Sequence, residues 1–150
     1  MTWPDGIALV IGITTIALLT HTRREHTMTT TEHRKLTQDE LVTEARNRFG
    51  DDPMKWAFVC PSCGDIANGE DFRQALTANP RTNRNSDAVI ASDVIGQECI
   101  GRTLGALAKR NGKYAGRGCD WAAYGLFSGP WEITLPNGRI AYGFALAPAA

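Results

Sequence analysis

Phe58-Val59-Cys60-Pro61-Ser62-Cys63-Gly64 is the stretch on which the reading of this chain turns. Two cysteines separated by two residues let a tight turn aim both sulfurs at one point, about 2.3 Å away for a zinc ion. Pro61 fixes one backbone angle of that turn, and Gly64 permits a left-handed or closely approaching backbone whose amides can face thiolate sulfur. Metal and amide donors alike favour the thiolate, which is the ligating form. The pair is half of a tetrahedral site.

The other half must come from Cys99 and Cys119, the remaining cysteines. A standard zinc ribbon would offer a second closely spaced pair, whereas these two stand singly. Cys99 is expected at the end of a helix, and Cys119 follows the Gly116-Arg117-Gly118 turn. One paired knuckle and two single ligands can form a closed four-thiolate site for Zn(2+), and tetrahedral sulfur suits iron as well. Two other readings stand beside it. One makes two of the cysteines small buried core residues next to an incomplete or partner-completed site, and the other makes the close pair a redox dithiol. The turn-forming Gly64, Asn68 and Gly69 argue against the long helix that a thioredoxin-like dithiol needs.

Histidine is informative by its placement. His21, His26 and His33 all precede the body of the chain, which contains none. That removes Cys–His and Ser–His–Asp catalysis and His-containing catalytic zinc sites from the body, unless the N-terminal segment folds back. A four-thiolate sphere also leaves no position for an activated water. Asp65, Glu98 and Asp120 neighbour the cysteines and are expected as solvated polar packing. The alternative reading, a small enzyme or host-defence antagonist, gives Glu98, Arg102 and Asp120 the roles of acid, anion clamp and base in a polar cleft.

Working outward, the body opens with Thr37-Gln38-Asp39-Glu40, a capping box, with Leu36 and Leu41 placed as a hydrophobic staple. Leu41, Val42, Ala45 and Phe49 mark one helical face and Gly50 the stop. Trp56 to Val59 is β-prone. Asn68 is expected to cap a short helix over 70–76, and residues 79–85 read as an exposed loop. Ser86 or Asp87 is expected to cap a third helix through Val89, Ile90 and Val94 towards Cys99. Trp121, Tyr124 and Phe127 are expected in a small core around the metal. Asn137-Gly138, set between the alternating runs 131–135 and 139–145, predicts a hairpin with Trp131, Ile133 and Leu135 on its buried face. The expected fold class is α+β: an irregular, zinc-ribbon-like domain over 34–146, with short helices and a C-terminal β-hairpin.

The chain has 150 residues and a formal net charge of zero, so bulk charge implies neither nucleic acid nor membrane as partner. Local charge does. Arg102, Lys109, Arg110, Lys113 and Arg117 fall in a Gly-rich stretch, 101–118, that holds no acidic residue. This is a footprint for phosphate contact, with Tyr114 as a stacking surface; the competing reading is a solvated loop neutralised by acids elsewhere. Residues 1–27 differ from the body. Gly6 to Thr20 is apolar and is followed by Arg23 and Arg24, which would leave the body in the cytoplasm if the run inserts in a membrane. It lies at the short end of the spanning range, and Met28 reads as an ordinary start, so an untranslated or disordered leader competes with an anchor.

Phe58-Val59-Cys60-Pro61-Ser62-Cys63-Gly64, Gln97-Glu98-Cys99-Ile100-Gly101-Arg102 and Gly118-Cys119-Asp120-Trp121-Ala122-Ala123-Tyr124-Gly125-Leu126-Phe127 together resemble a family of small uncharacterised proteins of bacteriophages and prophages, many from actinobacterial hosts. The resemblance covers Leu36 to Phe144 and includes all four cysteines. It implies a phage accessory protein of unknown function and supplies no reaction, substrate or catalytic residue; the expected location is the host cytoplasm, or the membrane with the body cytoplasmic. The function expected is a zinc-stabilised module that binds nucleic acid or a host or phage protein.

Overall fold

The computed structural model describes residues 32–108 and 114–149. The chain is α+β, with short helices, two small three-stranded sheets and a C-terminal hairpin. Strand β1 (Arg34–Thr37) leads straight into helix α1 (Gln38–Phe49). The capping box forms as its residue types dictate. The Thr37 hydroxyl accepts from the Glu40 amide at 3.2 Å, and the Glu40 carboxylate accepts from the Thr37 amide at 2.7 Å. Gly50 ends the helix by donating to the Arg46 carbonyl.

β1 pairs in parallel with β4 (Trp131–Thr134), Arg34 lying opposite Trp131, and β4 pairs antiparallel with β5 (Ile140–Gly143). The Asn137-Gly138 turn joins β4 to β5, with the Gly138 amide bonded to the Leu135 carbonyl at 2.9 Å. Trp131 and Ile133 are buried, as their alternation requires, while Thr134 between Ile133 and Leu135 is exposed. Against this face pack Leu36, Leu41 and Phe49, around buried Ala45 and Leu146. The Arg34 guanidinium lies 4.7 Å from the centre of the Trp131 ring.

The second sheet has the order β3 (Ile66–Asn68), β2 (Ala57–Val59), β6 (Ala145–Leu146), all neighbours antiparallel. The C-terminal run therefore serves both sheets. It leaves the first after Gly143 and enters the second at Ala145, with Phe144 buried at the crossing and its amide bonded to the Gly96 carbonyl at 2.7 Å. Arg48 of α1 donates to the carbonyls of Leu146 and Ala147, which ties the helix to the second sheet.

Asn68 caps α2 (Gly69–Ala78), in a reciprocal box with Asp71. Phe72, Ala75 and Leu76 face a core shared with Ala91, Val94 and Ile100. The expected third helix is corrected. Val89 donates to the Arg81 carbonyl and Thr82 bridges Ala88, so the segment before Ile90 is used by loop pairing. Helix α3 is only Ala91–Val94. Gly96, at φ +70°, turns the chain where a Cβ would lie 3.0 Å from the Phe58 ring. Cys99 accordingly does not end a helix; it stands at the N-terminal cap of α4 (Ile100–Thr103).

No helix among the described residues is long and apolar enough to cross a membrane. The apolar run 6–20 and the leader reading of 1–27 lie outside the described residues.

Candidate metal centre

The knuckle is built by backbone bonds that its sequence makes inexpensive. Cys60 donates to the Asp65 carbonyl at 2.8 Å, and Gly64 donates back to the Cys60 carbonyl at 2.9 Å. Gly64 sits at φ +75°, a conformation that side chains resist. The turn sets both cysteines just past the end of β2.

The single ligands arrive together because their segments pair. Cys99 donates to the Trp121 carbonyl at 3.0 Å, Ala123 donates to the Gln97 carbonyl at 2.8 Å, and Glu98 bridges Ala122. This short antiparallel contact sets Cys99 beside Cys119, whose amide donates to the Cys99 sulfur at 3.2 Å. Cys60, Cys63, Cys99 and Cys119 place their sulfurs within 4.8 Å of one another. The Cys60–Cys119 and Cys63–Cys99 separations are both 3.7 Å. Four sulfurs about 2.3 Å from a central ion stand about 3.8 Å apart in a regular tetrahedron. The donor set and its spacing therefore fit a tetrahedral metal ion.

Cys60 and Cys99 are buried with Ala123 and Phe144, and Phe58 and Trp121 cover them. The Trp121 and Phe144 rings are 5.5 Å apart between centres. Cys63 alone of the four is exposed. Among themselves the thiols are held at unequal acidities. The hydrogen that Cys60 shares with Cys99, together with burial, raises the Cys60 thiol far above its ordinary range. The same contact lowers Cys99 to about 5, with help from the amides of Cys119 and Gly101 against burial. Burial pushes Cys63 up to about 11. A bound cation favours the thiolate at all four positions.

Around this cluster the charged residues are not free ligands. Glu98, expected as solvated polar packing, is 5 % exposed. Its carboxylate meets the Arg81 guanidinium at 2.5 Å, lies 3.5 Å from Arg102 and accepts from the Tyr124 hydroxyl. Burial and that bond raise the Tyr124 phenol above its usual range. Arg102 also donates to the Asp120 carbonyl at 2.7 Å. Glu98 and Arg102 thus converge, and Asp120 joins them through its backbone. A shallow groove of about 430 Å³ lies elsewhere, along α1 beside Arg34, Asp39 and Asn47.

Arg117 donates to Asp65 at 3.0 Å, to the Ile66 carbonyl at 2.5 Å and to Asp71 at 3.3 Å. It ties the knuckle to the start of α2. Tyr114 donates to the Arg117 carbonyl at 2.9 Å. Lys109, Arg110 and Lys113 lie outside the described residues. Of the three aromatics expected around the metal, Trp121 is there, whereas Tyr124 is half-exposed and Phe127 is 65 % exposed. Residues 124–128 lie on the surface, and Leu126 among them is 91 % exposed, before the chain returns inside at Gly129. The sequence signal for Arg81 was weak, since it lies in a polar loop far from any cysteine in the chain.

The site is a four-cysteine cluster able to hold a metal ion, set beside the second sheet of an α+β protein. The chain belongs to the VVA0879-like family, whose model matches residues 37–147 and so takes in all four cysteines. No curated protein and no solved structure matches it.

Proposed function

We propose that this is a phage accessory protein whose fold is stapled by a structural zinc ion on Cys60, Cys63, Cys99 and Cys119, and which acts by binding. The observation that carries the reading is the closed donor set: four sulfurs from three separate segments, two of them 2 % exposed. Four protein thiolates complete a tetrahedral sphere and make the ion a cross-link rather than a reagent. The enzyme alternative loses its acid, because Arg81, Arg102 and Tyr124 already occupy the Glu98 carboxylate.

The partner we favour is nucleic acid, held at its phosphates by the basic stretch 101–118. Arg102 and Arg117 are committed to contacts within the protein, which narrows the contact set to Lys109, Arg110 and Lys113. A second reading, a host or phage protein as partner, is favoured by the exposed loop holding Leu126 and Phe127.

Two measurements on the full chain test this. Metal analysis is expected to give one zinc per chain, lost or sharply weakened when each cysteine is changed to Ser. Binding of labelled single-stranded and duplex DNA is expected to weaken with salt, and the log–log slope to shrink by about 0.7–0.9 per phosphate contact removed by alanine at 109, 110 and 113. Metal-free folded protein would overturn the staple. Absence of salt-dependent binding would move the interface to the apolar loop.

A further inference from the structure

The four sulfurs are chemically equivalent as ligands but not as targets. Cys60 and Cys99 are each 2 % exposed and lie under Phe58 and Trp121, and Cys119 is partly covered. Cys63, in the turn of the knuckle, is the exposed residue of the four. Its sulfur is 3.7 Å from that of Cys99, within reach of the about 2.0 Å bond of a disulfide after a modest movement of the exposed turn.

We infer that Cys63 is an oxidation site through which a peroxide opens the cluster, closing a Cys63–Cys99 disulfide and releasing the metal. The inference rests on the metal-staple reading above. In the first step the Cys63 thiolate attacks one peroxide oxygen. An S–O bond forms, the O–O bond breaks, and hydroxide leaves, so that Cys63 becomes a sulfenic acid. In the second step the Cys99 thiolate attacks that sulfur. The S–S bond forms, the S–O bond breaks, and a second hydroxide leaves. The two sulfurs give up two electrons in all, the peroxide accepts them, and each hydroxide takes a proton from solvent to become water. Cys60 and Cys119 then remain as the only thiolates, too few to hold a structural ion.

The equally close Cys60–Cys119 pair does not take this route first, because Cys60 is buried under apolar cover and Cys119 is less exposed than Cys63. Reactivity of a cysteine follows thiolate character together with access, and access separates these four.

The test uses the unaltered full chain, since a Cys63→Ser chain would lack a ligand and confuse folding with chemistry. Zinc-loaded protein is treated with graded hydrogen peroxide while zinc release is followed with a chromogenic chelator. Peptide mass mapping, with fragment spectra that separate Cys60 from Cys63, locates each oxidised sulfur. Zinc release is expected to track a Cys63–Cys99 disulfide and to reverse on adding a dithiol reductant and zinc. Brief alkylation of the loaded protein should mark Cys63 about tenfold ahead of the other three. First modification at Cys60, Cys99 or Cys119, or zinc release without the Cys63–Cys99 bond, would overturn the inference and leave the staple standing. Untreated protein without metal would instead overturn the staple itself.

Discussion

Gly101 and Cys119 touch through their backbones: a Cβ on Gly101 would lie 2.5 Å from both the amide nitrogen and the carbonyl oxygen of Cys119. Helix α4 and the segment of the fourth ligand can approach this closely only without a side chain between them. Alanine ordinarily favours a helix over glycine by up to about 1 kcal/mol. Here the clash decides the sign. Gly101→Ala is expected to destabilise the protein by about 1–3 kcal/mol and to weaken metal binding. Chelator competition alongside thermal melts would check both; an unchanged metal affinity would disprove the coupling.

Removing the Glu98 carboxylate leaves the Arg81 and Arg102 guanidiniums facing one another beside the buried bridge to Ala122. Breaking a buried ion pair from one side costs about 3–5 kcal/mol, and partial solvent access to the two arginines puts Glu98→Ala near the low end. Urea unfolding gives the value. A loss below about 0.5 kcal/mol would show the cluster to be incidental, since changes of that size are usual at plain surface sites.

The Thr37 cap makes a smaller contribution on an exposed helix end. Thr37→Ala should lower stability by about 1 kcal/mol while leaving metal content unchanged. A fall in bound zinc would mean that the N-terminal sheet and the metal site are coupled more tightly than their separation implies.

Acid should weaken the α1 end of the molecule through Glu44. Its bond to the Arg34 guanidinium, 2.9 Å long, and the nearby Arg48 hold its carboxyl below the ordinary value of 4.5. A carboxylate depressed in the folded state contributes stability that is fully present above the unfolded value and is lost as pH falls through the folded one. Stability of the native protein is thus expected to fall below pH 4.5 more steeply than that of Glu44→Gln. Parallel denaturation curves for the two proteins would refute this.

Local chemistry was legible where neighbours in the chain suffice. Thr37 and Glu40, Asn68, and Asn137-Gly138 each form their element from side chains and backbone within a few residues, so the first two helices and the hairpin could be read directly. The close cysteine pair was legible for the same reason. What escaped depends on partners distant in sequence. β1, ahead of the Thr37 capping box, was not expected as a strand and forms one alongside β4. Cys99 turned out to open a helix because the pairing of Glu98 with Ala122 interrupts the run before it. Glu98 looked solvated because Arg81, which neutralises it, comes from another segment. Phe127 looked buried by its type, yet the loop that carries it faces outward.

The parallel pairing of β1 with β4 has a consequence for biosynthesis. Strands that meet so late in the chain cannot join while the ribosome still holds the C-terminal part, so β1 must wait until β4 emerges. Cys60 and Cys63 leave the tunnel well before Cys119, and a nascent chain would carry a half-assembled thiol pair until Cys119 follows. Shortening the chain by its last few strands should therefore yield not a smaller folded unit but an unanchored one, prey to proteases from its first residue of exposure onward.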